Sequence, residues 1–364
     1  MSQTQIIPEK SNLSDSDSVF LKTLRGEAVD RTPVWLMRQA GRYMPEYRRI
    51  RKEANDFIKM CENPQLACDI TMLPIKQFDL DAAIIFSDIL LIGQAMGADL
   101  SFVPGKGPIF EPVRTRAQVD ALLGVEAAEK LGFVGDAIGR TVAELGNTPL
   151  IGFCGSPWTV ATYMVEGGSS KQFDVIKQMA WSAPETLHVL LEKLAQASLV
   201  YLKSQVQAGA SALMIFDTWG GILPFHAFEE FSMGYMQKII AGLKSDPATQ
   251  NTPVIVFSKG ANTVLPALSK IGADALSVDW SVNLGWARQF VPQEIILQGN
   301  LDPTLLLGSP EQLRAGIQAV LESYGPKPGH IFNLGHGILP QTDPEQVKRL
   351  VAWVREISQT IKNS

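Results

Sequence analysis

Three pieces of one stretch, LIGFCG at Leu150–Gly155, PETLHVLLEKLAQASLVYLKSQVQ at Pro184–Gln207 and LMIFD at Leu213–Asp217, decide the fold. The two short runs are apolar on both faces, as parallel strands covered by helices must be, and the long piece between them reads as a helix. Towards the C-terminus the alternation continues with a helix from His226 to Leu243. Further short apolar runs follow at Pro253–Ser258, Ala275–Asp279, Glu294–Gln298 and Ile331–Gly335, each with a helical pattern behind it. Towards the N-terminus lie the continuous run Ala82–Phe86, a helical segment Pro45–Phe78 with a break at Asn63-Pro64, a strand Pro33–Met37 and a short helix Val19–Leu24. Leu100–Val113, with its Pro104-Gly105-Lys106-Gly107-Pro108 turn, reads as a small hairpin or lid inserted before a helix near Arg116–Leu123. Strands alternating with long helices call for a parallel sheet, and about eight such units is the number that closes a barrel. The expectation is α/β: a single (β/α)8 TIM-type barrel over residues 19–364, behind a disordered N-terminal segment, 1–18. The rival is an open doubly wound sheet. No G-x-G-x-x-G follows a strand and no phosphate-loop pattern occurs, which removes the commonest reason to expect it.

The 364 residues are 46% hydrophobic and 19% charged, an ordinary globular composition, with a net charge of −5. That charge, with no long block of lysine or arginine, argues against a nucleic-acid or membrane-surface partner. A polyanionic ligand would have to be drawn in by a local positive pocket. Cys61, Cys68 and Cys154 are an odd number without paired spacing, which suits a reducing compartment and no disulfide framework. The serine-rich start lacks an apolar signal core, and the apolar stretch Ala82–Met96 is interrupted by Ser87-Asp88 and Gln94, short of the roughly twenty residues a membrane span needs. A cytoplasmic location follows as the expectation.

In a barrel the chemistry sits at the carboxyl ends of the strands. Residues Thr32–Arg48, TPVWLMRQAGRYMPEYR, deliver Arg38 and Arg42 into a turn at Gly41, and Pro45 then opens a helix in the first-turn position proline favours. Guanidinium groups grip carboxylates in a planar, bidentate way, so this is an anion clamp in outline, for a substrate with more than one carboxylate. The plainer reading pairs both arginines with surface acids. Asp88 closes the second run, Ser156 and Tyr163 follow the third, Asp217 and Thr218 the fourth, and His336 the last, between two glycines that let backbone approach a ligand. Asp88 could instead cap a helix, Tyr163 could be a core aromatic and Thr218 a turn residue. His188, His226 and His330 read as structural or surface. No Cys-x-x-Cys or His-x-Cys pair suggests a metal site, and no nucleophile elbow occurs.

Two stretches, Pro33–Tyr47 and Gly152–Tyr163 (GFCGSPWTVATY), resemble the two signature regions of the uroporphyrinogen decarboxylase family, and the likeness runs from about Phe20 to the last helix. The resemblance implies a (β/α)8 barrel, usually a homodimer. Its activity removes carbon dioxide from the four acetate side chains of uroporphyrinogen III to give coproporphyrinogen III, on the route to heme and chlorophyll. It implies that no cofactor and no metal is used. Carried over position by position, the substrate-binding turn is Arg38, Gln39, Ala40, Gly41 and Arg42, the central aspartate is Asp88, and the tyrosine, hydroxyl residue and histidine are Tyr163, Thr218 and His336. Some members carry serine where Thr218 stands. The chemistry suits these residues: a pyrrole protonated on a ring carbon takes up the electrons left on the methylene, so no pyridoxal or thiamine sink is required. Asp88, Arg38, Arg42 and Tyr163 are the expected catalytic residues. Two rivals remain, a zinc-dependent methyltransferase on the same barrel and a non-catalytic tetrapyrrole binder.

Overall fold

The structure, a computed structural model, describes residues 18–103 and 105–363. The disorder expected for residues 1–18 falls, apart from Ser18, outside the described residues; Ser18 itself accepts from Leu21 N and caps the Val19–Leu24 helix.

Nine strands are described: β1 (Ala83–Ile84), β2 (Leu100–Val103), β3 (Gly107–Phe110), β4 (Leu150–Gly155), β5 (Ala212–Asp217), β6 (Val254–Ser258), β7 (Ala275–Ser277), β8 (Ile296–Gln298) and β9 (His330–Ile331). Seven form one curled sheet in the order β1-β4-β5-β6-β7-β8-β9, every pair parallel, so all their carboxyl ends share one rim. β2 and β3 form the antiparallel hairpin expected between Leu100 and Val113. Every residue of β4, β5 and β6 is buried, the physical counterpart of their unbroken apolar runs. The Pro184–Gln207 helix covers β4 and buries Leu187, Leu190, Leu191, Leu194 and Leu202. Because β1 is two residues long, β4 outruns its neighbour. The Gln205 side chain takes over there, accepting from Phe153 N at 2.7 Å and donating to Phe153 O at 2.9 Å. Gly152 makes room for it, since a Cβ at that position would stand 2.4 Å from Gln205 Oε1.

The strand expected at Pro33–Met37 is reduced to a single parallel bridge, Val34 to Phe332. Trp35 N donates to Phe332 O, Phe332 N to Pro33 O and Asp81 N to Val34 O, so the segment is bonded on both sides. Beyond Trp35 the donors turn to side chains: Leu36 N to Gln39 Oε1 and Met37 N to Asn333 Oδ1. Arg38 then adopts φ 61°, which ends any ladder. The eight full strands expected are therefore seven plus this bridge.

Other boundaries shift for local reasons. Pro45–Phe78 breaks at Asn63 as expected and also at Asn55, which takes φ 52° and ends the Pro45–Ala54 helix, with Asp56 capping Phe57–Glu62. The helix expected from His226 is a short turn, Phe225–Phe228, a π-helical turn over Glu229–Met233 and the helix Gly234–Lys244. A second apolar cluster holds Val34, Leu36 and Tyr43 against Leu350, Val351 and Val354 of the Pro344–Asn363 helix. Among the described residues no helix is long and apolar enough to cross a membrane.

Candidate active site

The turn after the Val34 bridge is built to present Arg38. Its left-handed backbone, unusual for a residue with a side chain, is fixed from both flanks: Met37 N is held by Asn333, and Ile338 N donates to Met37 O at 3.0 Å. The Arg38 side chain lies across Gly337, where a Cβ would come within 2.3 Å of Arg38 Cδ. Gln39 is a strut of this turn. It is buried, its Oε1 accepts from Leu36 N, its Nε2 donates to Ala82 O and its carbonyl accepts from the Tyr43 hydroxyl at 2.6 Å. Ala40 is half-buried, and Gly41 packs against Arg38 O. Arg42 is exposed, and its charge acts on Tyr47.

Asp88, Tyr163 and His336 come to Arg38 from three other parts of the chain. Asp88 Oδ1 accepts from Leu90 N at 2.8 Å, a local turn, while the following helix, Leu91–Ala95, takes no side-chain cap from it. Its Oδ2 makes no hydrogen bond among the described residues. Burial raises the Asp88 pKa to about 6 against the opposing pull of that backbone bond and of Arg38. Tyr163, on the Pro157–Glu166 helix, has its pKa raised by burial, and both Asp88 and Arg38 act on its hydroxyl. His336 Nδ1 accepts from Gly337 N at 2.6 Å, which places the ring proton on Nε2. Burial, then Arg38 and Lys259, lower its pKa to about 3, so it is a neutral donor at physiological pH. Thr218, half-buried, follows β5 directly, and the next residue's indole lies 5.9 Å from the Tyr163 ring. Trp219 Nε1, a buried donor, points towards the Tyr163 hydroxyl and opposes the effect of burial on its pKa.

Beneath this rim sits a carboxylate that closes the fourth apolar run but is not among the residues the family resemblance carries over to the site. Asp217, wholly buried, accepts from Ser156 and Thr159 through Oδ1 and from Ser232 and Ser258 through Oδ2, at 2.6 to 2.9 Å. Ser156 and Thr159 hydroxyls already accept from Thr159 N and Trp219 N, which leaves their protons to be donated to Asp217 Oδ1. Burial raises its pKa while the hydroxyls pull it back. The hub ties the ends of β4, β5 and β6 together and, through Thr159, fixes the Trp219 backbone.

Asp279 does similar work after β7. It accepts from Gly260 N, from the Asn262 side chain and from Ser281 N and Oγ. Burial works against its ionised form and these donors outweigh it, leaving its pKa lowered. Sequence reading also missed Arg51, which acts on Tyr47 and, like Asp88, on the buried Cys61 thiol. His188 bonds Tyr235 and Glu230, and His330 bonds Gly299 O, the structural roles expected of them. The glycines beside His336 admit Trp280 backbone and the Arg38 side chain. Among the described residues no group of three or more His, Cys, Asp or Glu is placed to hold a metal ion.

A curled parallel sheet carrying a carboxylate of raised pKa, a guanidinium, a phenol and a neutral imidazole at its carboxyl rim defines an α/β enzyme that acts on an anionic substrate. The chain belongs to the uroporphyrinogen decarboxylase family, whose profile matches residues 15–357. It is 51% identical over 342 residues to the uroporphyrinogen decarboxylase of Alcanivorax borkumensis, covering 93% of this chain and 97% of that one. It is 50% identical over 341 residues to the same-named protein of Shewanella halifaxensis, covering 93% and 96%. Among solved structures, a methyltransferase from Methanosarcina mazei superposes with a TM-score of 0.77 at 22% identity, over 93% of this chain and 97% of that chain, a likeness of fold.

Proposed function

We propose that this protein decarboxylates the four acetate side chains of uroporphyrinogen III to coproporphyrinogen III, without a cofactor. The observation that carries the reading is the gathering of Asp88, Arg38, Tyr163 and His336 at one rim, with Arg38 acting electrostatically on the other three, in a member of this family. Losing carbon dioxide from a pyrrole acetate leaves an electron pair on the methylene. A ring protonated on carbon accepts it, so the enzyme's task is to favour a cationic pyrrole. Asp88, an anion above pH 6 or so, accepts from the pyrrole N–H groups and stabilises that cation as it forms. Arg38 and Arg42 hold carboxylates. Tyr163, Thr218 and the His336 Nε2–H orient the acetate and propionate arms.

The same reading extends to architecture: residues 19–364 form a single (β/α)8 unit whose ring is completed at the Val34 bridge, and two copies associate as a homodimer in the cytoplasm. The test is incubation with reduced uroporphyrinogen and no added cofactor, followed by chromatography that counts carboxyl groups on the ring. Stepwise loss of four supports the reading. Unchanged substrate bound tightly would favour a tetrapyrrole binder, and turnover that depends on zinc would favour the methyltransferase alternative.

A further inference from the structure

Lys259 stands immediately after β6, on the rim that carries the proposed site, and its main chain is pinned on all sides. Its N–H donates to Asp217 O at 3.2 Å, its carbonyl accepts from Gly221 N at 3.0 Å, and the next N–H, of Gly260, donates to Asp279 Oδ2 at 2.6 Å. The position is so closed that a Cβ on Gly221 would stand 2.4 Å from Lys259 O. The side chain is the opposite case. It is half-buried, its Nζ lies 5.8 Å from the centre of the Trp280 ring, and no carboxylate among the described residues comes within salt-bridge distance of it. Asp279, which accepts from the neighbouring Gly260 N, is already saturated by four donors from Gly260, Asn262 and Ser281. The rigid base thus holds a half-buried cation whose company is water and the Trp280 ring, which leaves it open to an incoming anion as a local positive point on a chain of net charge −5.

What surrounds Lys259 says where that anion comes from. Trp280, 41% exposed, backs onto Gly335, where a Cβ would meet Trp280 N at 2.3 Å. His336 follows, then Gly337 with the Arg38 side chain across it. Lys259, Trp280, His336 and Arg38 therefore occupy one quarter of the rim. The substrate carries more carboxylates than two guanidiniums can hold.

We propose that Lys259 binds a carboxylate arm of the macrocycle, with the exposed Trp280 ring as the apolar wall beside it, as a third cation of the substrate site. This assignment rests on the functional reading above. Lys259 acts on the ground state and transition state alike, because a peripheral carboxylate keeps its charge while another arm reacts, so its removal registers in KM.

The test is steady-state kinetics on Lys259→Gln and Lys259→Arg with uroporphyrinogen, beside Lys348→Gln, an exposed lysine of the C-terminal helix, as the charge control. Lys259→Gln should raise KM about tenfold with most of the loss in kcat/KM lying there, Lys259→Arg should restore it, and the control should match wild type. A KM within about twofold of wild type in Lys259→Gln, or a loss confined to kcat, overturns the assignment. On the wild-type enzyme, acetic anhydride labelling read by mass spectrometry should fall at Lys259 and hold steady at Lys348 when coproporphyrinogen is added; equal labelling overturns it even if the variants fold poorly. Wild type that forms no coproporphyrinogen defeats the functional reading, whereas active wild type matched by Lys259→Gln defeats this inference alone.

Discussion

Gly337→Ala is expected to disable the enzyme while leaving it folded. The added methyl would sit 2.3 Å from Arg38 Cδ, 2.7 Å from Cγ and 2.9 Å from Nε. Non-bonded carbons settle at about 3.5–4.0 Å, so the guanidinium stem must move by more than about 1 Å. The main chain cannot absorb the move, since Met37 N is bonded to Asn333 and Ile338 N to Met37 O. The side chain therefore swings out. A displacement of ~1 Å at a group that positions substrate costs on the order of a hundredfold in rate, about 2.7 kcal/mol of transition-state binding. Stability should change by less than about 1 kcal/mol, because the colliding atoms belong to an exposed, flexible side chain. Initial rates of coproporphyrinogen formation and a thermal melt, run side by side, give both numbers. Gly335→Ala is the internal contrast: its methyl meets Trp280 N at 2.3 Å and Asp279 C at 3.0 Å, both main chain, and should lower the melting temperature sharply. Full activity in Gly337→Ala would refute the placement of Arg38 in the reaction.

Asp88→Asn should lose at least a hundredfold in kcat and yet melt higher than wild type at pH 8. The folded pKa, about 6, lies above the ordinary value, so the protonated acid is the form the fold favours; that contribution is complete below pH 3.8 and lost as pH rises through 6, and the amide escapes the loss. The wild-type kcat/KM should fall as pH drops through about 6. His336 has the opposite sign: its folded pKa of about 3 lies below the unfolded value, so its neutral ring contributes stability above pH 6.5 that drains away as pH falls towards 3. His336→Gln should flatten the dependence of melting temperature on pH between 6.5 and 4. Asp217→Ala removes the shared acceptor of four buried hydroxyls and should cost about 3–5 kcal/mol in denaturant unfolding; a cost below about 1 kcal/mol would mean the hub is idle.

Patterns with a strong period were legible from residue types alone. Pro184–Gln207 and Leu150–Gly155 have in the structure the bounds the sequence suggested, the strand because all of it is buried and the helix because a buried stripe recurs from Leu187 to Gln205. Pro33–Met37 misled for a definite reason. Its apolar character is real, all five side chains being buried, but its main-chain donors past Trp35 are claimed by the Gln39 and Asn333 side chains, and nothing in the local pattern announces two amides recruited from elsewhere. Candidates closing a strand, such as Asp88, Asp217 and Thr218, could be read from position. The hub at Asp217 could not, since four hydroxyls from three segments converge on it only in three dimensions. Lys259 obeys the strand-end rule as well as any residue, directly after Ser258, and was overlooked because a lone lysine reads as solvated.

The bridge between Val34 and Phe332 joins residues from opposite ends of the described chain, and Arg38 and His336 each lie four positions beyond it. A nascent polypeptide halted before β9 already contains Asp88, Tyr163 and Thr218, yet has no Asn333 to hold the arginine turn and no glycine bed for its side chain. Synthesis must therefore pass Gly337 before Arg38 is seated, so activity of the proposed site doubles as a report that these two distant segments have met.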